Sequence, residues 1–95
     1  MAMSWQQTLE FNNLMNSGNN YMNSGAYKER GAYFSDAKNC YYRAMQEYDR
    51  AYDLARSNDD FKQKDAYKAR ENARHEFSEV AYREDDYIRK NGYGR

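Results

Sequence analysis

The sequence predicts an all-α fold, a small antiparallel bundle of three to four helices, on three observations. Proline is absent from all 95 residues. Between Ser35 and Ser57, the residues Ala37, Tyr41, Ala44, Tyr48, Ala51 and Ala55 follow one another at alternating steps of four and three, the spacing of one helical face. Acids precede bases by three or four positions through the second half, at Glu47-Arg50, Asp53-Arg56, Asp59-Lys62, Asp65-Lys68, Glu71-Arg74, Glu79-Arg83, Asp85-Arg89, Asp86-Arg89 and Asp86-Lys90. That order supports solvated helices by about 0.2–0.5 kcal/mol per pair.

A first helix is expected over residues 4–16, with Ser4 as its N-cap and Trp5, Leu9 and Met15 as a short apolar stripe. Met15-Asn16-Ser17-Gly18 recurs seven residues later as Met22-Asn23-Ser24-Gly25. Either Gly18 stops the helix and a second one covers residues 19–30, or one helix runs through and its glycines admit a close neighbour. Gly18-Asn19-Asn20 is poor helix material, so the break is the expectation. Gly31 to Phe34 reads as a turn, after which Ser35 caps the central helix at residues 35–57 with Asp36 in its first turn. Ser57, Asn58, Asp59 and Asp60 supply the next cap. The last helix is expected over residues 60–90, burying Ala66, Ala69, Ala73, Phe77, Val80 and Tyr87, with Phe61 and Ile88 at the ends of that stripe. Asn91-Gly92 ends it. The expected organisation is one domain, residues 1–91, and a flexible tail, residues 92–95.

Composition constrains the core. Leu9, Leu14, Leu54, Val80 and Ile88 are the only branched aliphatics, against eleven Tyr, five Met and four Phe. Low aliphatic content favours disorder, but a net charge of zero and the abundance of tyrosine oppose it. The expected core is Ala, Tyr, Phe and Met with hydroxyls at its edge. A core this lean gains from self-association, so a homodimer is one expected state. The single Cys40 and the absence of a hydrophobic run fit for a signal peptide or membrane span point to a reducing, cytoplasmic setting.

The segment from Tyr21 to Met45 resembles a tetratricopeptide-type helical hairpin. Tyr21, Ser24 and Gly25, followed by Ala37, Tyr41 and Ala44, sit where that motif places its aromatic, its close-contact glycine and its second-helix Ala/aromatic spacing. Ser24 stands where a large apolar residue is usual, Lys28 where an aromatic is usual, and no proline closes the unit. A hairpin followed by a long third helix is also similar to the three-helix bundle of microtubule-interacting and trafficking domains. Both resemblances imply binding of peptides or protein surfaces in grooves between helices.

Catalytic chemistry finds no support. His75 is the only histidine, with Glu71 and Glu79 four residues to either side. Di-metal carboxylate bundles need a Glu-x-x-His unit from each of two helices, which one histidine cannot supply. Cys40 has no base beside it in sequence to make it a nucleophile. Phosphate loops, zinc spacings and Ser/His/Asp sets are missing. No catalytic, cofactor or metal residues are therefore assigned, and the chain is expected not to be an enzyme.

Tyrosines that fall off the buried stripes stand beside arginines: Tyr42 with Arg43, Tyr67 with Arg70, and Tyr82 with Arg83. Tyr and Arg dominate protein-interface hot spots. The expected function is non-enzymatic protein binding through these six residues, as an adaptor or a stoichiometric inhibitor of a larger complex. Small phage or mobile-element inhibitors of host defence complexes are one class with this profile. Two alternatives stand beside it. Interleaved Arg and Tyr, with the tail from Arg89 to Arg95, suit single-stranded nucleic acid, although a neutral chain lacks the net basic field usual for that role. The third is a structural homo-oligomer.

Overall fold

The computed structural model describes residues 3–56 and 60–92. It contains three helices: α1 (Trp5–Arg30), α2 (Phe34–Ala55) and α3 (Asp60–Asn91). They form an elongated all-α bundle of 55 × 16 × 13 Å. The α2 helix lies in the middle, and α1 and α3 pack along it while scarcely touching each other. The cap expected at residues 57–59, the Asp59-Lys62 pair and tail residues 93–95 lie outside the described residues.

The start of α1 follows from Ser4. Its hydroxyl accepts from the Gln7 backbone N–H at 3.1 Å, while the Gln7 side chain accepts from the Ser4 N–H at 2.8 Å. This capping box satisfies two of the end's orphan donors. The expected break at Gly18 does not occur. α1 is one helix of 26 residues that runs through both Gly18 and Gly25. The intrinsic cost of glycine in a helix, about 1 kcal/mol each, is offset by what the missing side chains admit. The Tyr48 ring lies directly on Gly18 and the Tyr41 ring directly on Gly25. A Cβ built at Gly25 would stand 2.6 Å from Tyr41 Cε1, and one at Gly18 would overlap the Tyr48 ring outright. The Met-Asn-Ser-Gly repeat is thus a seven-residue template matched by two tyrosines seven residues apart on α2, the interval at which helices interlock side by side. Met15 and Met22, the first residues of each copy, pack beside the rings.

Each ring is also fixed at its tip. The Tyr41 hydroxyl donates to Glu29 Oε2 at 2.7 Å, and the Tyr48 hydroxyl donates to Asn19 Oδ1 at 2.6 Å. The rings are 2 % and 3 % exposed. Burial pushes the Tyr41 hydroxyl well above the usual tyrosine range, reinforced by its bond to Glu29. Burial raises Tyr48 in the same way.

α1 ends where Gly31 predicts, but the left-handed residue is Ala32, at φ 64°. The Tyr33 N–H bonds to Lys28 O and the Ala32 N–H to Glu29 O, both at 2.9 Å. This is the Schellman pattern shifted one residue past the glycine. As a result α2 begins at Phe34, with Tyr33 in the cap position and no side-chain capping bond. Ser35, expected to be the cap, lies inside the first turn.

α3 completes the core with small residues. Ala66 packs with Ala51, Ala55 and Phe11; Ala73 packs with Ala44 and Tyr48; Val80 packs with Ala37 and Tyr41. Ala69, Phe77, Tyr87 and Ile88 are half-buried. Phe61 departs from the expected stripe and is 81 % exposed. Five residues before Ala66, it lies about 140° around the helix from the buried line.

The core tyrosines make stability pH-dependent at the alkaline end. Their folded-state pKa values lie above that of an unfolded tyrosine, about 10, so the unfolded chain loses these protons first. Stability is full below pH 10 and falls above it. The urea midpoint is expected to drop as pH rises from about 9 to 11, and Tyr41→Phe with Tyr48→Phe to flatten that drop. An unchanged slope in the double variant would contradict the assignment.

Candidate interface groove between the second and third helices

The seam residues of α2 have a parallel row one position on: Tyr42, Met45, Asp49 and Tyr52, at steps of three, four and three. On α3, the residues Tyr67, Arg70, Arg74 and Phe77 do the same beside Ala66, Ala69 and Ala73. A shift of one residue turns a side chain by about 100°, from the buried line to the rim. Because α2 and α3 are antiparallel, the two rows meet rung by rung. The Tyr42 ring lies 6.0 Å from Phe77 and the Tyr52 ring 6.2 Å from Tyr67, both pairs tilted. Between them Arg70 donates to Asp49 Oδ1 at 2.7 Å.

Arg70 is the centre of this arrangement. Its guanidinium stands 4.9 Å from the Tyr52 ring centroid and 5.2 Å from that of Tyr67, within the range at which a ring face attracts a cation. The bond to Asp49 raises its pKa further, so it stays charged. Its Nε is covered and makes no hydrogen bond, with Glu71 Oε2 3.6 Å away. A planar fork held by one carboxylate and two rings fixes the orientation of both tyrosines. The rings nevertheless remain open to solvent on one side, Tyr67 at 47 % and Tyr42 at 49 % exposure. Two shallow hollows of about 200 and 190 Å³ lie along this line. Tyr52, Gln63 and Tyr67 floor the first; Tyr42, Met45, Asp49, Arg70 and Arg74 line the second.

Of the six residues expected to bind a partner, the groove brings together Tyr42, Tyr67 and Arg70. Arg43 lines a hollow on α2 alone, with Asn39, Tyr42 and Gln46, and Tyr82 and Arg83 lie elsewhere. Tyr82 is 72 % exposed and lines none of the hollows along the groove. Arg83 turns toward α1, donating to Glu29 there at 2.9 Å and to Glu76 on its own helix at 2.8 Å. These two carboxylates raise its pKa and hold it charged. Phe77, expected in the buried stripe, is half-buried beside Tyr42, and Asp49, Tyr52 and Arg74 join the groove without having been named as partner-binding residues. The one-residue offset of their rows from the buried line was the available signal.

Other chemistry-bearing side chains stay apart. His75 is exposed and Cys40 is half-buried. Among the described residues, no three His, Cys, Asp or Glu side chains converge on a metal-sized site, and no helix is long and apolar enough to cross a membrane. No family model, curated protein or solved structure matches the chain.

Removing the central cation separates a structural rung from a free rim position. Arg70→Met keeps an unbranched stem but ends the Asp49 bond and both ring contacts. It is expected to cost about 1 kcal/mol in urea denaturation with an unchanged slope. Arg74→Met, at the rim, is expected to stay within about 0.5 kcal/mol of the parent. Equal losses would contradict this division.

Proposed function

We propose that the chain is a non-enzymatic protein-binding module and that the α2/α3 groove is its contact face. The observation that carries this reading is the Arg70 sandwich. It holds Tyr52 and Tyr67 in place while leaving part of Tyr67 open. Binding costs less when the side chains of the contact face are already ordered. Tyr and Arg are also the side chains that most often carry interface energy. Both walls are regular helices, so the spacing of the anchors along the groove is fixed by backbone hydrogen bonds. A rigid, preordered face on a small chain suits an adaptor or a stoichiometric inhibitor of a larger complex. The single, half-buried Cys40 is compatible with a reducing cytoplasmic setting.

The test compares the parent with Tyr42→Ala/Tyr67→Ala as baits in a nuclease-treated lysate of the cells that express the protein. Both side chains are about half exposed and each also packs on a neighbouring ring, so the variant is expected to melt some degrees below the parent while remaining folded at the temperature of the assay, which its own melting curve checks. It is expected to lose a protein that the parent retains. Retention of the same protein by both baits would overturn the groove assignment. Loss of all captured material on nuclease treatment would favour single-stranded nucleic acid instead.

A further inference from the structure

We infer that the segment bound in the α2/α3 groove is acidic, an inference that rests on the protein-binding reading. The chain as a whole is neutral, with 15 basic and 15 acidic residues, but the groove is not. The hollows that span the two helices are lined by Lys64, Lys68, Arg70 and Arg74 and by one carboxylate, Asp49. Asp49 is taken by Arg70.

Of the other cations, Lys68 and Arg74 form no ion pair among the described residues. The sequence offers a local partner for each, Asp65 for Lys68 and Glu71 for Arg74, yet neither pair forms. Glu71 instead approaches Arg70 at 3.6 Å. By contrast, the acids near the end of α3 are matched locally, Asp85 with Arg89 and Asp86 with Lys90. The uncompensated positive charge is therefore concentrated along the tyrosine rungs.

Lys64 marks one end of this field and Arg74 the other, so the field spans about ten residues of α3, roughly 15 Å. An extended segment of about five residues covers that length. Its carboxylates would meet the cations of the α3 wall, and an aromatic or apolar side chain would fit a hollow beside Tyr42 or Tyr67.

Phosphate could answer the same charge, but the chain as a whole is neutral, whereas a nucleic-acid surface carries a net basic field.

The experiment is an amide-shift NMR titration of the isotopically labelled chain with three probes. They are the peptide acetyl-Glu-Glu-Tyr-Glu-Glu-Tyr-Glu-Glu-amide, its counterpart with every Glu replaced by Gln, and oligo-dT. The acidic peptide is expected to shift residues of the two groove walls and to bind roughly tenfold more tightly than the Gln peptide at low salt. Lys64→Glu/Arg74→Glu, both exposed positions, is expected to remove that preference without changing the melting temperature. Equal binding of both peptides, or shifts away from the groove, would overturn the acidic assignment. If a lysate protein is nonetheless lost on Tyr42→Ala/Tyr67→Ala, the protein-binding reading stands without it. Tighter binding of oligo-dT in the same groove would overturn both.

Discussion

Two tyrosine rings resting on two bare glycine positions set the geometry of this bundle. Gly25 and Gly18 on α1 receive Tyr41 and Tyr48 from α2, and each ring is tied at its tip to α1 by a hydrogen bond. Any larger residue at either position would push the helices apart. This matters because the rest of the core has little else to offer. Fully buried positions on α2 and α3 are mostly alanine, which contributes little apolar area of its own. The large rings supply most of the buried area, and the glycines let them be buried without a gap.

That arrangement also determines which side chains stay outside the core. On α2 the seam at Ala37, Tyr41, Ala44, Tyr48 and Ala51 is spent on the bundle. The row one residue later, Tyr42, Met45, Asp49 and Tyr52, is turned to the groove beside α3. Each row carries two tyrosines, buried in the seam and at the rim in the second row. Alanines at the α2/α3 contact bring those helices close enough for Arg70 to reach Asp49 and both rings. Close packing inside thus places the rungs outside. The network around Glu29 is the counterpart on the α1 side, where Tyr41 and Arg83 share its carboxylate.

The fold class, the α2 seam, the Ser4 cap and the helix ends near Gly31 and Asn91 were all legible, because local spacing and end chemistry decide them. The continuity of α1 was not. Gly-Asn-Asn disfavours a helix locally, and only the rings of a distant segment reverse the balance. The repeat and the Tyr41/Tyr48 interval were both visible, but nothing in one sequence says that they match. Ser35 was misread as a cap because the left-handed turn fell on Ala32 and α2 began a residue earlier. The expected pair Glu79-Arg83 is replaced by Arg83 with Glu29 across helices, which one-dimensional spacing cannot show. For the groove, residue types pointed to Tyr42, Tyr67 and Arg70, while Arg43, Tyr82 and Arg83 lie on other faces of their helices, which adjacency in sequence cannot show.

A double-mutant cycle between Gly18 and Tyr48 tests the glycine–tyrosine fit most directly. Stability of the parent, Gly18→Ala, Tyr48→Ala and the double variant would be measured by urea denaturation, with a protecting osmolyte present in all four samples. In the parent background Gly18→Ala is expected to destabilise by about 1–2 kcal/mol, as overpacking against a pinned ring outweighs the helix gain. In the Tyr48→Ala background the same change is expected to stabilise, by up to about 1 kcal/mol, because only the helix gain remains. A reversal of sign would establish that the ring and the bare backbone specify each other. Stabilisation by Gly18→Ala in both backgrounds would show that the glycine is a tolerated weakness and that the helices are held together by something else.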